Sequence, residues 1–252
     1  FQRVGDMIWA SADMMARGFL LGGTAGRTTL NGEGLQHQGG HSPILASTVP
    51  SVRTYDCAFA WDLAILVRFG IQRMFVEDHD ELFYLMMYNE ALPMPARPAH
   101  EGLDEGVVRG GYLLESATGD GPRVNLLGSG TILFEVMQAA ATLREEGYSV
   151  AVYSITSYVE LARDAERAEQ TGTADAEPAW LDTIFPETDV PTVAATDYVR
   201  ALPRMIASWI TGPFTALGTD GFGMSERRSD LRAHFKVDAA SIADAARGLT
   251  AS

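Results

Sequence analysis

The sequence predicts an α/β protein of two layered αβα units, and three observations carry that reading. Helical and strand-like stretches alternate from the start of the chain, the rhythm of a mainly parallel sheet. The run Leu82 to Tyr88 (LFYLMMY) is apolar throughout and of strand length, as expected for a strand covered on both faces. The segment Leu92 to Pro98 (LPMPARP) then breaks the pattern with three prolines, and a second alternation begins at Gly110. The expected units are residues 1–97 and 110–252, with a polar linker over 98–109.

In the first unit, Val4, Ile8, Ala12 and Met15 recur at helical spacing and predict a helix ending near Gly18. Phe19 to Leu21 reads as a short buried strand. Asp56 is expected to cap a helix over Cys57 to Phe69, whose Ala58, Trp61, Ile65 and Phe69 form one stripe. In the second unit, strands are expected at Tyr112 to Glu115, Val124 to Leu127, Val150 to Tyr153, Thr192 to Ala195 and Phe214 to Leu217. Helices are expected over Thr131 to Glu146, from Thr156, over Val199 to Ile210, over Ser229 to Phe235 and over Ala239 to Leu249. Ala165 to Trp180, charged and weakly periodic, reads as an insertion.

Composition excludes several function classes. The formal net charge of −14 repels nucleic-acid phosphate and anionic lipid, so neither nucleic acid nor a membrane is an expected partner. No apolar run approaches the roughly 20 residues of a membrane span. A single cysteine, Cys57, leaves no internal disulfide and no cysteine-rich metal site, and fits a reducing cytoplasm. The chain opens on Phe1 with a helix soon under way, the expectation for a fragment or a separately encoded half.

The stretch Gly22 to Ser42 (GGTAGRTTLNGEGLQHQGGHS) is the candidate site. Seven glycines exclude regular structure, and the loop carries Glu33, His37 and His41 between two apolar runs. Such a loop is where binding or catalysis concentrates, although an ordered surface loop with incidental histidines has the same composition. A second glycine cluster, Gly128-Ser129-Gly130, is not read as a dinucleotide fingerprint. It has no third glycine, and no acidic residue ends the next strand near Tyr153; a tight strand-to-helix turn is the expectation.

At the glycine loop the chain resembles the homodimeric type of pyruvate dehydrogenase, the thiamine-diphosphate-dependent decarboxylating component of its complex. The resemblance continues through FQRVGD at the start, Ser157 to Asp164 (SYVELARD), Thr196-Asp197-Tyr198, and Leu217 to Glu226 (LGTDGFGMSE). It implies the second part of a pyrimidine-binding domain, to about Ala96, followed by a transketolase-type C-terminal domain. The family's magnesium motif and the glutamate that protonates the aminopyrimidine have no match here. The resemblance therefore implies that thiamine diphosphate and Mg²⁺ are held mainly by an N-terminal half or a separate subunit. It assigns no metal ligand to this chain and leaves the cofactor-binding residues open.

The resemblance also assigns roles. The histidine matching His37 faces the reacting carbon, where it would donate a hydrogen bond or proton to the substrate oxygen. Glu33 would hold that imidazole or brace the loop, and His41 would support from behind. Gly39 replaces an acidic residue usual in the family, and Cys57 stands where proline is usual. The implied function is decarboxylation of pyruvate with transfer of the two-carbon unit to a lipoyl or acyl-carrier domain, in a two-fold assembly. The alternative is transketolase-like transfer of a ketol unit from a ketose phosphate. Transketolases carry an arginine that grips the sugar phosphate in the segment matching Tyr88-Asn89-Glu90-Ala91-Leu92-Pro93, and this chain has none there. A third reading, a non-catalytic assembly domain, gives Glu33 and His37 nothing to do.

Overall fold

The computed structural model describes residues 1, 3–32, 37–99, 101–171 and 177–251. The chain runs α1 (Gly5–Asp13), β1 (Gly18–Gly22), α2 (Ser42–Ser47), β2 (Val52–Tyr55), α3 (Ala60–Ile71), β3 (Leu82–Met86) and α4 (Leu103–Arg109). It continues through β4 (Gly111–Glu115), β5 (Arg123–Gly128), α5 (Ile132–Glu145), β6 (Ser149–Ile155), α6 (Tyr158–Thr171) and α7 (Trp180–Ile184). It closes with β7 (Thr192–Ala195), α8 (Ala201–Arg204), β8 (Phe214–Leu217), α9 (Arg228–Phe235) and α10 (Ala239–Thr250). A parallel sheet orders its strands β1-β3-β2, and a second sheet orders them β4-β6-β5-β7-β8, with only β4 antiparallel to its neighbour. The expected α/β class with mainly parallel sheets holds.

Apolar spacing explains the main layers. β3 is buried along its whole length between β1 and β2. α5 buries Ile132, Leu133, Val136, Ala139, Ala140 and Leu143, one face at helical period. Each fully buried Leu, Ile or Val contributes about 1.5–3 kcal/mol before the entropy of ordering it. Among the described residues three apolar clusters fill the interior: one joins Tyr84 of the first sheet to Leu127 and Ala194 of the second, one joins Phe83 of the first to Tyr112 of the second, and one packs Ala58 and Phe59, ahead of α3, on Val124 and Val193 of the second.

Several expected elements are corrected. Asp56 caps no helix. α3 starts at Ala60, and the Phe59 N–H donates to the Asp62 carboxylate at 3.3 Å, so Asp62 secures the first turn from within. The expected linker contains α4, which buries Leu103 and Val107. The expected insertion from Ala165 is helical to Thr171, and residues 172–176 lie outside the described ones. The expected helix over Val199 to Ile210 divides into α8 and a short 3₁₀ turn at Ala207–Trp209. α2 and β2 were not anticipated.

The two sheets meet at the C-terminal ends of their strands. The Asp56 N–H donates to the Thr156 carbonyl at 2.7 Å, the Gly130 N–H donates to the Asp56 carbonyl at 3.2 Å, and the Ser157 hydroxyl donates to the Thr54 carbonyl at 2.6 Å. This junction accounts for the second glycine cluster. Gly130 has φ +50°, and a Cβ there would overlap the Tyr88 hydroxyl and lie 2.6 Å from Asp56 Oδ1. Gly130→Ala is expected to cost about 3 kcal/mol or more, from left-handed backbone strain plus overlap. A denaturation midpoint within about 0.5 kcal/mol of the parent would contradict this packing.

Candidate active site at the glycine loop

The loop after β1 is pinned at both ends. Thr24, Ala25 and Gly26 lie beside Gly39, whose N–H donates to the Thr24 carbonyl at 3.3 Å. The turn Arg27-Thr28-Thr29 is buried against the residues that follow β7. Asp197, itself fully buried, accepts hydrogen bonds from the N–H groups of Arg27 at 3.1 Å, Thr28 at 2.9 Å and Thr29 at 3.1 Å. It also accepts one from the Thr28 hydroxyl at 2.7 Å. Burial pushes this carboxyl up and the hydrogen bonds from Thr28 and Thr29 oppose the rise. Both oxygens act as acceptors, the arrangement of an ionised carboxylate.

His37 and His41 take different places. His37 is exposed and lines a cavity of about 480 Å³ with Leu20 to Ala25, Gln38, Tyr84, Met86 and Tyr198. His41 lies just before α2, and its Nδ1 is 3.1 Å from an Arg27 guanidinium nitrogen. Arginine is always a donor, so Nδ1 accepts and the ring proton sits on Nε2. Burial lowers the His41 pKa, and the neighbouring Arg27 lowers it further. His41 is therefore a neutral acceptor holding Arg27, and it does not line the His37 cavity. Glu33 lies outside the described residues.

Four residues that the sequence did not single out complete the frame. Arg27 is buried and donates to the Thr219 carbonyl as well as to His41. Gln38 Nε2 donates to the carbonyls of Leu30 at 3.1 Å and Met224 at 2.8 Å. Arg228 donates to the carbonyls of Thr29 and Asn89, each at 2.8 Å. Arg232 pairs with Glu90 at 2.6 Å and Glu135 at 3.1 Å. Asp197 belongs to the resembling segment Thr196-Asp197-Tyr198, which by itself gives the residue no role. Its signal was position: a carboxylate just beyond the C-terminal end of a fully buried strand, where ligand-facing residues of α/β sheets collect.

Two parallel-dominated sheets joined at their strand ends, with a glycine loop of one held by turns of the other, define a transketolase-like architecture. The comparisons give the same class. The chain belongs to the transketolase-like family: residues 110–238 match the transketolase-like C-terminal domain, and residues 1–95 match the middle domain of the pyruvate dehydrogenase E1 component. Among curated relatives, the pyruvate dehydrogenase E1 component of Corynebacterium glutamicum is 48% identical over 250 residues, 96% of this chain and 27% of that protein. The corresponding protein of Escherichia coli (strain K12) is 44% identical over 255 residues, covering 98% of this chain and 28% of its own length. The chain thus spans little more than a quarter of these relatives. Transketolase from Leishmania mexicana superposes with a TM-score of 0.70 at 16% identity, covering 97% of this chain and 32% of that one. Transketolase from Campylobacter jejuni superposes with a TM-score of 0.68 at 14% identity, covering 94% and 32%. These two establish the fold. The resemblance read from the glycine loop is borne out.

Proposed function

We propose that this chain is the catalytic-loop portion of a thiamine-diphosphate-dependent enzyme that decarboxylates pyruvate and passes the two-carbon unit to a lipoyl or carrier-protein arm. The observation that carries the reading is His37: an exposed imidazole at the edge of a cavity, between loop positions that the second sheet holds in place. Residues 1–97 would be the second part of a pyrimidine-binding domain and 110–252 the C-terminal domain. Polypeptide outside this chain, in the same or a separate subunit, would hold the cofactor diphosphate and Mg²⁺, within a two-fold assembly. Among the described residues, no group of three or more His, Cys, Asp or Glu side chains is arranged to hold a metal ion.

The cavity suits one side of such a cofactor. Leu20, Met86 and the ring of Tyr84 offer the apolar wall that a flat heteroaromatic ring takes, and His37 lines the same cavity. When bound, thiamine diphosphate supplies the carbanion chemistry. His37 would donate its ring proton or a hydrogen bond to the substrate carbonyl oxygen as negative charge builds there. Glu33, four residues earlier, would orient that imidazole or brace the loop. His41 would act one step back, by holding Arg27 against the Thr219 carbonyl.

The competing reading is ketol transfer from a ketose phosphate. At the position where that chemistry needs a phosphate-gripping arginine, Asn89 donates to the Gly23 carbonyl at 3.2 Å, and the next residue, Glu90, is an anion paired with Arg232. A half-buried carboxylate at this place, tied up with Arg232, offers a sugar phosphate no grip. A donor screen on the complete enzyme separates the two. Carbon dioxide release from pyruvate, with no turnover of xylulose or fructose phosphate, is expected; ketose phosphate as the sole donor would overturn the assignment.

A further inference from the structure

We propose that Asp197 is a positioning residue for His37, acting as a clamp by which the second sheet fixes the geometry of the glycine loop. This rests on the reading of His37 as the proton donor. A carboxylate with no exposed surface is costly unless its charge is met, and among the described residues no ion pair to a cationic side chain meets it. What meets it is the backbone turn Arg27-Thr28-Thr29, which directs three consecutive N–H groups and one hydroxyl at the two oxygens. The fit leaves no space for more. Gly26 has φ +76°, and a Cβ there would overlap Asp197 Oδ2.

The clamp reaches His37 through short, continuous links. Ala25 and Gly26, next to the clamped turn, bridge to Gly39. The Val199 N–H, two residues past Asp197, donates to the Gly40 carbonyl at 3.0 Å. Gln38 is tied to Leu30 on one side and to Met224 on the other. Residues 197–224 of the second sheet's turns thereby hold the loop at 27–29, 38 and 40. His37 projects beside these fixed points. The contribution that the C-terminal unit makes here is the placement of a side chain that belongs to the other unit.

The test uses the complete enzyme with Asp197→Asn, Thr28→Val and His37→Ala. Asp197→Asn removes the charge and half of the acceptors. Thr28→Val removes only the hydroxyl bond and keeps the backbone donors, so it reports even if the first variant folds poorly. Amide exchange at residues 27–29 is expected to accelerate about tenfold or more in Asp197→Asn and by a smaller factor in Thr28→Val. The kcat is expected to fall about ten- to a hundredfold in Asp197→Asn, with KM within about threefold of the parent, because a shift of the donor misplaces it without removing a substrate contact. Unchanged exchange at 27–29 would overturn the clamp. Accelerated exchange with kcat intact, in an enzyme that His37→Ala inactivates, would overturn the positioning role. An active His37→Ala enzyme would remove the proposed function and with it the catalytic part of this inference, while the exchange result would still decide the clamp.

Discussion

His37→Ala, made in the complete enzyme, is expected to lower kcat by about 10²- to 10⁴-fold while leaving the thermal midpoint within a degree or two of the parent. The range is that for losing a positioned general acid. The small stability effect follows from surroundings: the ring is exposed and lines a cavity, so its removal opens no void in a packed core. KM for the two-carbon donor should change little, since a proton donor used as charge develops adds nothing to ground-state binding. A variant that unfolds, or one that keeps full kcat, would make this histidine a structural residue.

Legibility in the sequence followed the range of the interactions. β3 and α5 were readable because burial on one or both faces writes a period of its own. β2 was not, because Arg53 interrupts its apolar pattern; that arginine pairs with Glu81 and Glu160, one near and one far along the chain. The second half of α6 is hard to read because the charged stretch from Ala165 looks solvated. In the fold, Asp164 is nearly buried and accepts the Trp180 N–H at 2.6 Å, tying the helix to α7. Asp56 looked like a helix cap because its type and place allow it; its backbone instead belongs to the junction between sheets.

The site divides along the same line. His37 and His41 were legible as residue types in an improbable loop. Arg27 and Asp197 were not, because their partners stand far away in sequence: Asp197 serves a turn about 170 residues earlier. The resemblance pointed to the loop as a whole, and the fold separates the two histidines. One lines a cavity, and the other accepts from a buried guanidinium.

The junction itself is expected to respond to pH. Asp56 and Asp62 are buried near the sheet interface, and burial raises each carboxyl to about 7 from an ordinary value of 3.8. The folded chain therefore keeps these protons over a range in which the unfolded chain has released them. Stability must fall as pH rises from about 4 to 7 and level off above, by at most about 4 kcal/mol for each carboxyl. Asp197, also raised by burial, acts in the same sense. His41, whose pKa is lowered, acts in the opposite sense below its unfolded value of 6.5, with a smaller weight because it is partly solvated. Glu81 and Asp220 are lowered, so their contributions are lost only in more acid solution. The check is a denaturation series from pH 5 to pH 8 on the complete enzyme and on Asp56→Asn. Burial raises the Asp56 carboxyl and the nearby Ser129 hydroxyl opposes the rise, so asparagine removes the ionisation while keeping one acceptor oxygen for that hydroxyl. The variant is expected to match the parent at pH 5 and exceed its stability at pH 8. An identical slope in both proteins would mean that the buried carboxyl at the junction does not hold its proton into the neutral range.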